Sequence, residues 1–239
     1  RFFQVFGLVD TRVNEESMNL IPWIYYYFHR LTARNQERGE YSAGHWQHLA
    51  RTKALELCHD LTGKILEVGC GEGLLLTQLA KQNPKALFRG IDLSPELLFR
   101  AKQRLIENKL NAVDLFVQKA TAMNFADGSF DAVIAINVLM CLESLDAAGA
   151  ILASMSRVTK TGGIVVFDFR NALNPLLTLK YRLAHYYDKT LAGQSLSTYY
   201  PEAVRSLCER LQLNILDMRF SGFPIRSLAP IIIVKAQKI

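Results

Sequence analysis

Cysteine is scarce in this sequence, which has only four in 239 residues, and none of them shows the Cys-x-x-Cys spacing that is typical of zinc and redox sites. The four are Cys58, Cys70, Cys141 and Cys208. Their number and spacing favour reduced thiols in a cytoplasmic setting over a disulfide or zinc framework. The sequence therefore predicts no metal site.

Concentrated charge and long hydrophobic runs are also missing. The 28 basic and 22 acidic residues give a net charge of +6 and are spread along the chain, which indicates a solvated surface rather than a nucleic-acid track. The apolar stretch from Leu20 to Phe28 is far shorter than the ~20 residues that a membrane-spanning helix needs. We therefore expect no transmembrane segment and no nucleic-acid partner, although a signal sequence upstream of Arg1 would not be visible.

The most informative stretch reads ILEVGCGEG, from Ile65 to Gly73. A short apolar run suits a buried parallel strand, and the glycines that follow permit a tight turn with positive φ. Glu67 lies at the carboxyl end of this strand, where ligands bind in open α/β sheets, so its carboxylate is predicted to face a cationic ligand group. A helix predicted from Leu74 onward points its free N–H groups at the same place and favours an anion.

A molecule that carries an ammonium and a carboxylate on a nucleoside suits this loop, and S-adenosylmethionine is such a molecule. The next predicted strand, Phe88 to Ile91, ends at Asp92, about 20 residues past the loop, where a ribose-binding acid belongs. NAD is disfavoured, because the third glycine of the dinucleotide fingerprint would fall at Leu74. Ser94 then predicts the N-cap of a helix that continues to about Asn108.

Further α/β units follow. A turn at Asp127 to Ser129 precedes a predicted strand from Ala132 to Ile136, which is rich in β-branched residues. Gly162 and Gly163 are predicted to separate a helix near Asp146 to Thr159 from a strand at Ile164 to Phe167.

These motifs together resemble the class I S-adenosylmethionine-dependent methyltransferase family: the glycine loop, Asp92, DGSFD at Asp127 to Asp131, and KTGG at Lys160 to Gly163. The resemblance covers roughly Lys64 to Asp168. It implies an α/β fold with a Rossmann-like, doubly wound sheet of seven strands, mostly parallel, with an antiparallel C-terminal hairpin. Leu213 to Phe220 and Pro230 to Ala236 fit that hairpin, with the run IIIVKA expected at a sheet edge.

The expected organisation is an N-terminal helical extension or lid at residues 1–60 and a methyltransferase domain at 61–239, with a substrate-lid insertion at about 170–200. The resemblance implies S-adenosyl-L-methionine as the cofactor. The residues expected to bind it are Tyr41, Glu67, Gly69, Cys70, Gly71, Gly73, Asp92, Leu93, Lys119, Ala120, Asn137 and Val138.

Two positions depart from the family pattern. Where relatives have Gly-Asp-Ala, whose Asp meets the adenine amino group, this chain has Gln118, Lys119 and Ala120. Lysine has donors only, so Gln118, a backbone carbonyl or a nearby side chain must accept from that amine. Cys141 stands where many relatives have histidine, which leaves the loop after strand four without an obvious base.

Histidine is the natural group to remove a substrate proton near neutral pH, and five are present. His45 and His48 are candidates by their lid position, and His185 by its place in the insertion. No base is assigned, because methyl transfer gains largely from holding the nucleophile and the methyl group about 3 Å apart in a dry pocket. The insertion also contains Tyr181, Tyr186 and Tyr187, which suit a lipophilic or aromatic small molecule or, equally, a helix packed on the domain.

Two rival functions remain open. One is methylation of RNA or another macromolecule. The loop from Asn137 to Met140 lacks the Asn/Asp-Pro-Pro-aromatic motif of base-amine methyltransferases, and Cys141 lacks the proline that precedes a C5 nucleophile, so we expect it to be a buried structural thiol. The other rival is a noncatalytic protein that binds S-adenosylmethionine. The sequence leaves the oligomeric state open, including a homodimer.

Overall fold

The computed structural model describes residues 45–179, 181, 196–222 and 226–239. The strands are β1 Lys64–Val68, β2 Leu87–Asp92, β3 Asp114–Val117, β4 Phe130–Ala135, β5 Thr159–Arg170, β6 Leu213–Ser221 and β7 Ile231–Lys238. The longer helices are α1 His45–Leu57, α2 Leu74–Gln82, α3 Pro95–Glu107, α4 Leu145–Val158 and α5 Pro201–Arg210. Short 3₁₀ turns lie at Leu139–Cys141 and Arg226–Leu228, and residues 175–179 are helical.

The described strands form one seven-stranded sheet in the order β3-β2-β1-β4-β5-β7-β6. Strands β1 to β5 pair in parallel, whereas β7 runs antiparallel to both β5 and β6. The predicted doubly wound sheet with an antiparallel C-terminal hairpin is therefore confirmed. Because the order reverses beside β1, the carboxyl ends of β1 and β4 flank the crevice where such sheets bind ligands.

The two faces of the sheet are covered by different helices. Side chains from α1, α2 and α3 pack with Ile65 and Ile134 in one buried cluster. Side chains from α4 and α5 pack with Leu66 and Val133 in a second buried cluster. Neighbouring strand residues point to opposite faces, so the continuous apolar runs of β1 and β4 follow from burial on both sides.

The run IIIVKA was expected at a sheet edge, and this expectation is wrong. It forms β7, which lies between β5 and β6, and Ile231 to Val234 are fully buried. The edge on that side is β6, whose alternating burial fits one covered and one exposed face. A run of four β-branched residues suits a strand that is covered on both faces.

Most predicted element boundaries agree with the structure within a few residues. Ser94 caps α3, since its hydroxyl accepts a hydrogen bond from Leu97 N at 3.2 Å. The main difference lies at KTGG, which was expected to separate a helix from a strand. In the structure α4 ends at Val158 and β5 begins at once at Thr159, which pairs with Phe130, so the two glycines lie inside the strand.

Candidate active site

The glycine loop after β1 is hydrogen-bonded to the end of β2. Gly69, Gly71 and Gly73 have φ values of 69°, 50° and 74°, a region that other residues rarely adopt. Gly69 N and Cys70 N donate hydrogen bonds to Ile91 O at 2.8 and 3.0 Å, which fixes the loop against the neighbouring strand. A Cβ on Gly71 would meet no atom within 4 Å in the described part of the chain. The loop therefore leaves open space above Gly71.

Asp92 ends β2 and braces this loop with its carboxylate. Its Oδ2 accepts from Gly71 N at 2.9 Å, and its Oδ1 accepts from Ser94 N at 2.9 Å. Each carboxylate oxygen has a further lone pair available for a ligand hydroxyl. The same side chain can thus shape the loop and accept hydrogen bonds from a ribose.

Glu67 is a buried acid whose carboxylate is not fully hydrogen-bonded within the described ranges. Its side chain is 3% exposed, and its Oε2 has no hydrogen-bond partner within the described ranges. Desolvation by burial raises its pKa well above the usual range; the nearby Arg51 lowers it and Asp92 raises it further. Buried polar atoms are rarely left unpaired, so an orphaned carboxylate beside a glycine loop fits the ammonium of an amino-acid ligand. The residues of this half of the site fit S-adenosylmethionine.

The remaining residues expected to contact the cofactor lie around the same crevice. Leu93 and Lys119 are exposed, while Ala120 and Val138 are half-buried. Gln118, which was considered as an acceptor for the adenine amine, already accepts from Asn124 N through its Oε1 at 2.8 Å. Cys70 is buried and desolvation raises its pKa, so it is a neutral thiol that serves as a loop side chain.

On the other side of the crevice, a polar network joins the ends of β4 and β5. Asp168 accepts from Asn137 N through Oδ1 and from Arg170 through Oδ2, both at 2.5 Å. Arg170 also donates to Asn137 Oδ1 at 2.8 Å, and Asn137 Nδ2 donates to the Gln47 carbonyl of α1 at 3.3 Å. Arg170 and Asp168 are 0% and 1% exposed.

Asp168 and Arg170 were not among the site residues predicted from the sequence. The signal was present in VVFDFR, where two opposite charges interrupt an otherwise apolar strand at its carboxyl end. Charged residues are almost never fully buried unless they are paired, so this pattern predicts an internal ion pair.

Cys141 was expected to be a buried structural thiol, and this expectation is wrong. It lies in the 3₁₀ turn after β4 and is exposed, with its Sγ 3.9 Å from the Asn137 carbonyl. The reason is the tight turn, which buries Leu139 and Met140 and leaves the third residue outside. Partial desolvation of the sulfur still raises the thiol pKa, with Arg170 lowering it and Asp168 raising it, so it is a poor nucleophile at neutral pH.

Only some of the candidate bases and tyrosines lie within the described residues. His48 is half-buried in α1 and shares a hydrogen bond of 3.3 Å with Thr52 Oγ1. His45 begins α1, but its side chain is not described. Tyr181 hydrogen-bonds with Arg170. His185, Tyr41, Tyr186 and Tyr187 lie outside the described residues.

The described ranges contain no cluster of three or more His, Cys, Asp or Glu side chains that could hold a metal ion. None of their helices combines the length and the apolar character required to cross a bilayer.

Comparison with known proteins places this site in context. A family model described as a methyltransferase domain matches residues 65–163. The chain is 28% identical over 176 residues to a ubiquinone biosynthesis O-methyltransferase of Pasteurella multocida, covering 66% of this chain and 69% of that protein. It is 31% identical over 136 residues to a phosphatidylethanolamine N-methyltransferase of Cereibacter sphaeroides, covering 56% of this chain and 64% of that protein.

A solved structure shares the fold. It is the magnesium protoporphyrin IX methyltransferase of Synechocystis PCC 6803 with bound SAH, which superposes with a TM-score of 0.59 at 18% identity and covers 80% of each chain. The part of this chain that the family model matches, residues 65–163, includes the glycine loop, Asp92 and the loop after β4.

Proposed function

Because the chain is a class I S-adenosylmethionine-dependent methyltransferase, we propose that it transfers the methyl group to a small, lipophilic or aromatic acceptor. Support comes from a ubiquinone biosynthesis O-methyltransferase and a phosphatidylethanolamine N-methyltransferase among its relatives. The observation that carries the proposal lies in this chain, just beyond the carboxyl end of β5.

That observation is an exposed leucine patch, formed by Leu173, Leu176, Leu179 and Leu228. Their exposed fractions are 43%, 61%, 55% and 43%. Asn174 Nδ2 donates to the Leu228 carbonyl at 2.7 Å and so joins the two segments that carry the patch. Leu173, Leu176 and Leu179 recur at every third residue just beyond the carboxyl end of β5, the end of the sheet at which ligands bind, and exposed apolar side chains there favour an apolar ligand.

We assign these roles to the individual residues. Glu67 would accept from the cofactor ammonium, the N-terminus of α2 would face its carboxylate, and Asp92 would accept from the ribose hydroxyls. When bound, S-adenosylmethionine supplies a methyl group that its sulfonium already activates for transfer. The residues around β4 and β5 would hold the acceptor nucleophile close to that methyl group, and no side chain is assigned as a base.

The test follows labelled methyl transfer from S-adenosylmethionine to three kinds of acceptor. These are phenols and amines with a long alkyl tail, the same head groups without the tail, and total RNA. We expect label in the tailed acceptors. Label in RNA alone would contradict the proposal, and cofactor binding without transfer to any acceptor would favour a noncatalytic protein.

The leucine patch has its own variant. We expect Leu176→Ser with Leu179→Ser to raise KM for tailed acceptors and to leave KM for tailless ones unchanged. The matched control is Leu216→Ser, which alters a leucine of similar exposure, 49%, on the distant edge strand β6. An equal rise in KM for both acceptor types would remove the role of the patch in recognising the tail.

A further inference from the structure

Arg170 connects parts of the site that are far apart in the sequence. From the end of β5 its guanidinium donates to Asp168 on the same strand and to Asn137 on the loop after β4. It also hydrogen-bonds with Tyr181 of the insertion. Through Asn137 the network reaches Gln47 of α1, whose carbonyl accepts from the Asn137 amide. One fully buried side chain therefore ties together the surroundings of the crevice.

Asn137 is held in a conformation that it would not adopt freely. Its φ is 64°, in the left-handed region that residues other than glycine rarely occupy. Three hydrogen bonds hold it there: Asn137 N to Asp168, Arg170 to its side-chain oxygen, and its amide to Gln47. Such a backbone persists where its surroundings over-determine it.

The next residue carries this constraint to the cofactor loop. Val138 Cγ2 lies 2.6 Å from the point where a Cβ on Gly69 would stand, so Val138 packs directly onto the glycine. A displacement of Asn137 would move Val138 and release the loop that Gly69 begins. This contact joins the polar network at β5 to the glycine loop after β1.

We propose that Arg170, together with Asp168, is a positioning residue for the cofactor: by holding Asn137 in its left-handed conformation it keeps Val138 against Gly69. Neither charged residue needs to touch the cofactor for this role. The proposal rests on S-adenosylmethionine being the cofactor and not on which acceptor is methylated.

Arginine suits this role better than lysine. Its planar guanidinium presents donors in a fixed fork that can meet Asp168 and Asn137 at the same time, whereas the lysine ammonium is a point charge on a flexible stem. Lysine would neutralise Asp168 without fixing the angle to Asn137. The conservative variant therefore separates charge from geometry.

The experiment titrates the full chain with S-adenosylhomocysteine by calorimetry and needs no acceptor. We expect Arg170→Met and Arg170→Lys each to weaken binding by about tenfold or more. The control is Arg219→Met, which removes an exposed arginine that pairs with Asp217 on the far edge strand and should leave the Kd unchanged. Wild-type affinity in Arg170→Lys would show that charge alone suffices and would overturn the proposal.

Arg170→Met leaves Asp168 buried without its cation, which can prevent folding. The double variant Asp168→Asn, Arg170→Met removes both charges together and keeps a side-chain oxygen for Asn137 N. We expect it to fold, as judged by circular dichroism, and still to bind S-adenosylhomocysteine about tenfold more weakly. Wild-type affinity in this folded variant would overturn the proposal.

A mutant cycle tests the route through Asn137. Glycine at 137 adopts a positive φ without support. In an Asn137→Gly background, adding Asp168→Asn and Arg170→Met should therefore weaken binding by less than about twofold. If these two substitutions weaken binding as much in that background as they do in the wild type, the effect does not pass through Asn137 and the proposal fails. If wild-type protein itself does not bind S-adenosylhomocysteine, the cofactor assignment fails instead.

Discussion

The β1–β2 side of the crevice and the β4–β5 side are built from different materials. Around β1 and β2 the walls are mainly backbone, with three glycines at positive φ, one brace from Asp92 and one orphaned acid, Glu67. Around β4 and β5 they are buried side chains, in which Arg170 and Asp168 hold Asn137 in place. The first side depends on the absence of side chains, and the second depends on specific ones.

The two sides therefore differ in the substitutions that they tolerate. A backbone cradle tolerates few substitutions, because each glycine is required by φ or by space. A side-chain network can be replaced by another network that fills the same volume. We therefore expect variants around β1 and β2 to lose cofactor binding and to keep the fold. Variants around β4 and β5 should lose stability and binding together.

The largest expected effect comes from Asp92→Ala. It removes the brace on Gly71 and Ser94 and the acceptor that we propose for the ribose, and hydrogen bonds to a charged group contribute about 1.5–3 kcal/mol each. We expect S-adenosylhomocysteine binding to weaken at least about 100-fold in calorimetry, with the fold retained by circular dichroism. Asp114→Ala, an exposed acid on β3 that pairs with Arg89, is the control. Normal binding in Asp92→Ala would remove the ribose assignment.

Gly71→Ala tests whether the open space above Gly71 is needed for cofactor binding. The added methyl group meets no described atom but stands where the cofactor is expected, and overpacking costs about 2 kcal/mol, or about 30-fold in Kd. Gly162→Ala is a close match, with φ of 76° and equally open space, but it lies in β5 near the opposite end of the sheet. Both should lower Tm by a similar few degrees, and only Gly71→Ala should weaken binding. Equal effects on binding would mean that the space above Gly71 is not the cofactor site.

Glu67→Gln should separate stability from binding. Burial raises the folded-state pKa of Glu67, so the unfolded chain loses this proton first and the native state loses stability as pH rises from about 4.3, the unfolded value. Glutamine removes that penalty, so we expect a Tm about 2–4 °C higher at pH 7 and a gap that closes toward pH 4. Cofactor binding should weaken about tenfold, because the ammonium loses a charged partner.

Glu56→Gln, which alters an exposed acid of α1 paired with Lys53, is the control for that experiment. It should change neither Tm nor binding by a measurable amount. A Glu67→Gln protein that is less stable than wild type at pH 7 would contradict the view that burial makes an ionised Glu67 costly in the folded state.

The smallest effect is expected at the opposite end of the sheet, at Asp131. It accepts from Lys64 N at 2.8 Å and from Lys160 Nζ at 2.6 Å. Although partial burial acts to raise its pKa, these hydrogen bonds together lower it. Its contribution to stability is therefore present above the unfolded pKa of about 3.9 and is lost as pH falls through the lower folded value.

Asp131→Asn should accordingly lower the free energy of unfolding by about 1 kcal/mol at pH 7 and by less at pH 3. Cofactor affinity should stay unchanged, because this residue lies where β1 begins rather than where it ends. A weakened affinity would show that the two ends of the sheet are coupled.

Local sequence predicted the backbone of the β1–β2 side well. The order of Glu67, Gly69, Gly71, Gly73 and Asp92 is compact, and backbone needs such as positive φ map directly onto glycine. The N-cap at Ser94 was readable for the same reason, since the interaction spans only three residues. These features depend on neighbours in the chain.

The β4–β5 side could not be predicted in the same way, because its contacts are non-local. Arg170 and Asn137 are 33 residues apart and meet only once β4 and β5 have paired. The position of β7 was missed for a related reason, since its apolar run fits an edge or an interior place until its partners are known. Charge inside an apolar strand, as in VVFDFR, was the one usable local sign.

The place of β7 also bears on how the chain acquires its structure during synthesis. Strands β1 to β5 leave the ribosome first, yet β5 faces its neighbour β7 only after the intervening insertion, α5 and β6 have been made. Until then the edge of β5 carries unpaired backbone groups beside an uncovered apolar surface. A nascent chain that stalls before Ile231 would thus present an unpaired, aggregation-prone strand edge. This stage should be the one that most needs a chaperone.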